Sequence, residues 1–198
     1  RKGSALVFVD AKTRRIIKTY QSTSVSETKD APFIALKALQ NNQVIAINTR
    51  EWVVFNSKGE IVRSIDFDSR QNLNSQSGLP ASVLQFDNGK VFVVLSPKEF
   101  SATAFLFDIK DGSLKPVKTI DVTFIDEMRA WKVHNDTMLL TNLKGLIVMV
   151  KSDGRIAEVQ LPKGALQGGK IEMMDQNRIT FTANDQVHLL EIKEELFK

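Results

Sequence analysis

NSKGE, residues 56–60, separates the apolar stretch WVVF, 52–55, from the more polar stretch IVRSIDF, 61–67. An apolar run, a short turn rich in Asn, Asp and Gly, and a polar run that follows describe a hairpin between two β-strands. Asn, Asp and Gly supply the left-handed conformations that tight hairpins need. The same punctuation occurs as DAKT at 10–13, DIKDG at 108–112 and KSDGR at 151–155. Each is followed by a strand-length polar segment: RIIKTY, LKPVKTIDV and RIAEVQL.

Two further kinds of turn repeat in step with this one. The first is NN at 41–42, DNG at 87–89, ND at 135–136 and QN at 176–177. The second is TRE at 49–51, PKEFSA at 97–102, LKG at 143–145 and AND at 183–185. Together they divide the chain into units of four short strands that repeat every ~40–50 residues, a period typical of propeller blades. The two middle strands of each unit are the most apolar, as expected where both faces pack on neighbouring blades. The fourth carries more Lys, Arg, Asp and Glu, which suits an exposed edge that resists sheet extension.

The expected architecture is therefore all-β, a β-propeller of four-stranded antiparallel blades, with blade-like units at 1–20, 33–67, 81–122, 130–161 and 171–192. The first unit supplies only a third and a fourth strand, and the last only a first, second and third. The ends do not combine into one regular blade, so the expectation is a single propeller segment, a partial arc of a larger propeller of seven or eight blades. A closed five-bladed ring and a two-sheet sandwich are the alternatives. Short helices are conceivable only at 124–129 and 193–198.

The third-turn strands LVFVDAKTRRIIKTY, 6–20, and FLFDIKDGSLKPVKTI, 105–120, resemble the quinoprotein-like propeller repeat. Residues 53–65 and 147–159 resemble it more loosely. The tryptophan that ends the family's last strand is replaced by Tyr20, Phe67 and Val122. The calcium site and stacking tryptophan of the quinone-cofactor enzymes have no counterpart in the sequence. The resemblance thus implies the non-enzymatic members, scaffold subunits of membrane-protein assembly machinery, with no cofactor. A diverged WD-type propeller is the rival, without a GH…WD pairing.

Composition narrows the chemistry. The chain has no cysteine, which excludes thiol catalysis, disulfides and thiolate metal sites and suits either redox compartment. The net charge of +4 permits acidic partners without demanding them. No run is long enough to span a membrane as a helix. The opening RKGSALVFVD is not a signal peptide, and a start on Arg1 reads as a processed or excised product.

Catalytic signatures are missing. The two histidines, His134 and His188, occupy different positions in their units, which disfavours a metal site. Asp10, Asp108, Asp111, Asp153 and Asp185 sit where carboxylates cap turn amides. GALQGGK, 164–170, lacks phosphate-loop spacing. Asn135-Asp136-Thr137 is a glycosylation acceptor triplet in an expected turn.

Contact candidates remain. Lys12, Arg14, Arg15 and Lys18 form the densest basic stretch, which reads as a solvated edge or as a surface for an acidic protein. Nucleic acid is a weaker partner for it, because only Tyr20 stands close enough to stack. Phe100 and Phe124 fall in long loops, and Trp131 lies near the second of them. Phe124, Met128 and Trp131 can equally form a buried satellite cluster. The expected function is a non-catalytic scaffold that mediates protein–protein interaction within a larger complex. The alternatives are a ligand-binding or enzymatic propeller using its central channel, lined by 35–39, 82–86, 130–133 and 171–174, and a nucleic-acid propeller using a basic rim with Arg63 and Lys118.

Overall fold

The computed structural model describes residues 5–21, 33, 35–48, 51–66, 80–98, 101–122, 128–142, 144–162, 171–173, 178–183 and 186–198. These form seventeen strands in five antiparallel sheets. Blade 1 has β1 (Ala5–Val9) and β2 (Ile16–Gln21). Blade 2 runs β3 (Ala35–Leu39), β4 (Gln43–Ile47), β5 (Glu51–Phe55) and β6 (Ile61–Asp66). Blade 3 runs β7 (Pro80–Gln85), β8 (Val91–Lys98), β9 (Ser101–Phe107) and β10 (Leu114–Asp121). Blade 4 runs β11 (Arg129–His134), β12 (Thr137–Thr141), β13 (Leu146–Lys151) and β14 (Ile156–Gln160). Blade 5 has β15 (Ile171–Met173), β16 (Arg178–Ala183) and β17 (Gln186–Glu191). Every sheet is a meander in chain order, as the repeat requires.

Side-chain alternation explains the stacking, since successive residues of a strand point to opposite faces. In β5, Val53 and Phe55 face blade 1, where they meet Leu6, Phe8 and Tyr20. Trp52 and Val54 face blade 3 and meet Val91, Val93, Phe105 and Phe107. The other face of blade 3, with Phe92, Val94 and Leu106, packs on Met138, Leu140, Val148 and Val150 of blade 4. Blade 4 in turn presents Leu139, Ile147 and Met149 to Ile179 and Phe181 of blade 5. Middle strands are buried on both sides, which is why they read as continuous apolar runs.

The first strands lie side by side, with β7 against both β3 and β11, and the fourth strands are the more exposed. Among the described residues, no apolar cluster joins blade 1 to blade 5. The turns carry the expected chemistry. Gly59, Gly112 and Gly154 have positive φ in the third-turn hairpins, and Asn41 and Asn42 in a first-turn hairpin.

Of the two short helices expected from the sequence, the tail is revised and the stretch 124–127 of the other lies outside the described residues. Arg129 begins β11, and 123–127 lie outside the described residues. The tail forms a single 3-10 turn, Glu194–Leu196. It does not extend because Lys198 pairs with Ile156 at the start of β14 through two reciprocal backbone bonds of 2.9 Å. Phe197 is thereby drawn into the blade 4–blade 5 core.

Candidate interaction surfaces

The basic hairpin between β1 and β2 is organised by Asp10. Its carboxylate accepts the amides of Lys12 at 2.8 Å and Thr13 at 2.7 Å, and its carbonyl accepts the Arg14 amide at 2.8 Å. The backbone bonds from Thr13 and then Lys12 hold the Asp10 carboxyl below its ordinary range. Arg14 adopts φ +57°, which turns the chain tightly. Lys12, Arg14, Arg15 and Lys18 are exposed, and none has an ion-pair partner among the described residues. The hairpin is a compact cationic knob at one end of the stack.

The other rim cations are engaged. Arg63 donates from Nε to the Ile109 carbonyl at 3.1 Å and from its terminal amine to the Lys110 carbonyl. Lys118 pairs with Glu158 of the next blade at 2.7 Å. Lys132 pairs with Asp87. These bonds tie neighbouring blades together, so Arg63 and Lys118 do not extend the Arg14–Lys18 patch into a free basic rim.

The aromatic candidates separate. Trp131 is half-buried in β11 and packs on the blade 4–blade 5 cluster. Met128 is buried in the blade 3–blade 4 cluster instead, so the two do not share a satellite core. Phe100 and Phe124 lie outside the described residues.

Groups with catalytic potential are used structurally. Asp108 accepts the Lys110 amide, Asp111 that of Ser113 and Asp153 that of Arg155, at 2.7–2.9 Å. Asp185 lies outside the described residues. His188 stacks on Phe181 with ring centroids 5.0 Å apart. His134 stands 3.5 Å from Asp136 in an exposed turn. The buried Glu51 carboxylate receives the Tyr20 hydroxyl at 3.2 Å and the Asn48 side-chain amide at 3.4 Å, a polar link across the blade 1–blade 2 seam. Sequence reading missed this link, because nothing in the spacing of Tyr20 and Glu51 points to it. No group of three potential metal ligands occurs among the described residues. A cleft of about 260 Å³ between blades 2 and 3 is lined by Asn41, Gln43, Gln85, Asn88, Arg63 and Lys110, without an acid. No helix among the described residues is long and apolar enough to cross a membrane.

Apolar residues are left uncovered at the two ends of the stack. On β1, Val7 and Val9 face away from blade 2 and are each 52% exposed. On β17, Val187 and Leu189 face away from blade 4 and are 74% and 59% exposed. The corresponding residues of β5 and β13 are buried on both faces.

No protein-family description matches the chain, and no curated protein matches it. Its fold does match solved propeller structures. The C-terminal WD40 domain of Sif2 superposes with a TM-score of 0.56 at 12% identity, over 96% of this chain and 52% of that one. A catalytically inactive histidine-to-alanine variant of virginiamycin B lyase from Staphylococcus aureus, with quinupristin, gives 0.52 at 14%, over 95% and 63%. BBS1N in complex with ARL6DN gives 0.50 at 11%, over 99% and 61%. The chain thus has a β-propeller-like fold, similar in shape to that of WD40-type and other propellers. It spans between 52% and 63% of the length of these three chains.

Proposed function

We propose that the chain is a non-catalytic propeller scaffold, an arc of a seven- or eight-bladed propeller that holds protein partners within a larger complex. The observation that carries this reading is the pair of uncovered apolar sheet faces, Val7 with Val9 and Val187 with Leu189, at opposite ends of a continuous stack. Interior faces of the same kind are all covered by another blade. The turn-capping role of the carboxylates supports a structural rather than a catalytic use of the acids. A general fold relationship to WD40-type interaction domains agrees with it. The third-turn repeats favour the quinoprotein-like branch within that broad class.

The exposed knob of Arg14, Arg15 and Lys18 is the first contact surface in this proposal, facing an acidic protein. Trp131, Phe100 and Phe124 are further contact positions, with Trp131 offering only its uncovered part. The enzymatic alternative draws on the lyase among the structural neighbours, but His134 meets Asp136 in an exposed turn rather than in a cleft, and His188 stacks on Phe181.

The test is the composition of the native gene product, isolated from its source under mild conditions. The expected result is a second protein retained in fixed ratio and partly released by the triple variant R14E/R15E/K18E. A product that stays free of any partner and carries a bound small molecule overturns the reading.

A further inference from the structure

The seams between blades close in two ways on the side that carries the first and third turns. Between blades 3 and 4 the first turns meet backbone to backbone: the Asp87 amide donates to the Asn135 carbonyl at 2.8 Å, and Lys132 pairs with Asp87. Between blades 2 and 3, among the described residues, no backbone bond joins turn 41–42 to turn 87–89. A side chain spans the gap instead. Gln85 accepts the Gln40 amide at Oε1, 2.6 Å away, and donates from Nε2 to the Gly89 carbonyl at 3.1 Å. The cleft of about 260 Å³ opens beside this strut. Gly89 leaves its wall bare, since a Cβ there would meet nothing within 4 Å.

The polar groups around the cleft are largely donors. Arg63 uses Nε and one terminal amine for the Ile109 and Lys110 carbonyls, along one edge of the guanidinium. The edge between its two terminal amines is left for another acceptor. Asn88 accepts the Lys90 amide at Oδ1, 3.1 Å away, so Nδ2 is its remaining donor group. Lys110 is exposed and has no ion-pair partner among the described residues. The acids of the adjoining turn are committed elsewhere. Asp108 accepts the Lys110 amide and stands 3.9 Å from Lys90. Asp111 lies within reach of the Arg63 charge but accepts the Ser113 amide, and neither acid lines the cleft. Val62 and Ile109 give the lining an apolar side.

Independently of the scaffold reading, we propose that this cleft binds a carboxylate carried on a short aliphatic stem. The two carboxylate oxygens meet the open edge of Arg63, where a guanidinium and a carboxylate make two parallel bonds. The Asn88 amide and the Lys110 ammonium add a donor and a charge beside them, and the methylenes lie on Val62 and Ile109. The volume falls below the ~300–1,000 Å³ of sites for drug-sized ligands, which suits a group the size of one side chain rather than a nucleotide cofactor. The same chemistry comes from two sources, a small free acid or a glutamate side chain of a polypeptide.

The test titrates the native gene product by calorimetry with four probes: glutarate, a blocked glycine–glutamate–glycine tripeptide, neutral glutaramide and inorganic phosphate. Saturable binding of glutarate or of the tripeptide is expected, and the tighter of the two identifies the source as a free acid or a polypeptide. N88D keeps the acceptor for the Lys90 amide but brings a negative charge to the cleft, and is expected to weaken that binding about tenfold or more. K110Q is expected to weaken it about threefold. Both positions are exposed, and unchanged unfolding midpoints confirm that the variants stay folded. Absence of saturable binding by both carboxylate probes overturns the proposal. So does equal affinity for glutaramide, or binding that N88D leaves unchanged. Phosphate binding tighter than either carboxylate also overturns it, because the cleft is then a general anion site.

Discussion

The Arg63 side chain lies directly against Gly112: its Cδ stands 3.2 Å from where a Cβ on that glycine would be. From there the guanidinium bonds to the carbonyls of Ile109 and Lys110, closing the third turn of the next blade. The relationship repeats along the stack. Phe8 of blade 1 lies over Gly59 of blade 2, and Lys115 of blade 3 reaches to 3.4 Å from the Cβ place of Gly154 in blade 4. Each third-turn glycine therefore has two jobs, a positive φ for the hairpin and an empty space for a side chain from the preceding blade.

Arg63 should accordingly be a stability residue. R63A removes two bonds to backbone carbonyls and leaves those carbonyls to water, at a cost of about 1–2 kcal/mol. R63K should recover less than half of that, because a single ammonium does not reproduce the planar fork. Urea unfolding midpoints at constant slope measure both.

Gly59 and Gly89 separate conformational strain from steric contact. Both have positive φ, +72° and +91°. A Cβ on Gly89 meets nothing within 4 Å, whereas one on Gly59 meets the Phe8 ring at 2.8 Å. G89A should cost about 1 kcal/mol from backbone strain alone. G59A should cost more, about 2–3 kcal/mol, and should displace blade 1. Paired with F8A, the extra cost of G59A should largely vanish in a double-mutant cycle.

The repeat was legible because its turns are written in local chemistry. Asp10, Asp108, Asp111 and Asp153 cap amides two or three residues ahead, and such contacts are fixed by sequence spacing. The alternation of Trp52 and Val54 against Val53 and Phe55 was legible as a buried strand. Which neighbour each pair meets was not, since a strand with both faces apolar carries no label for its partners. Contacts such as Arg63 with Ile109 and Tyr20 with Glu51 span 46 and 31 residues and depend on the blade stagger. The tail failed for a similar reason. KEELFK has helical composition, yet pairing of Lys198 with Ile156 and burial of Phe197 outweigh one more helical turn.

Acid should weaken the fold through its turn carboxylates. Asp10 and Asp111 are lowered by hydrogen bonds from Thr13 and Ser113. At Asp136 and Asp153 burial pulls upward, but bonds from Thr137 and Arg155, with Lys151 nearby, bring the net shift down. A carboxyl lower in the folded state than in the unfolded chain binds fewer protons when folded. Its contribution is complete above the unfolded value of about 3.9 and is lost as pH falls through the folded value. Unfolding midpoints should therefore hold from neutral pH to about 5 and fall below about 4. D10N keeps an acceptor oxygen for Lys12 and Thr13 but does not titrate, so its midpoint should fall less steeply with acid than that of the parent.

The C-terminal tail should behave as a clamp on blade 4. Phe197 is buried, and Lys151 sits 4.9 Å above its ring with Asp136 and Glu194 at 3.8 and 3.7 Å. Arg155 adds a 2.9 Å contact to Glu194. Lys151 is buried, but its acid partners Asp136 and Glu194 are exposed and each pair contributes little, whereas the aromatic ring fills core volume. F197A should cost about 3 kcal/mol, and E194Q less than about 1 kcal/mol. The two can be told apart by limited proteolysis as well as by unfolding. F197A should open cleavage within 192–198 and expose the edge of β14, whereas E194Q should leave the tail protected. Equal protection in both variants would mean that the backbone pair of Ile156 and Lys198 holds the tail without the ring.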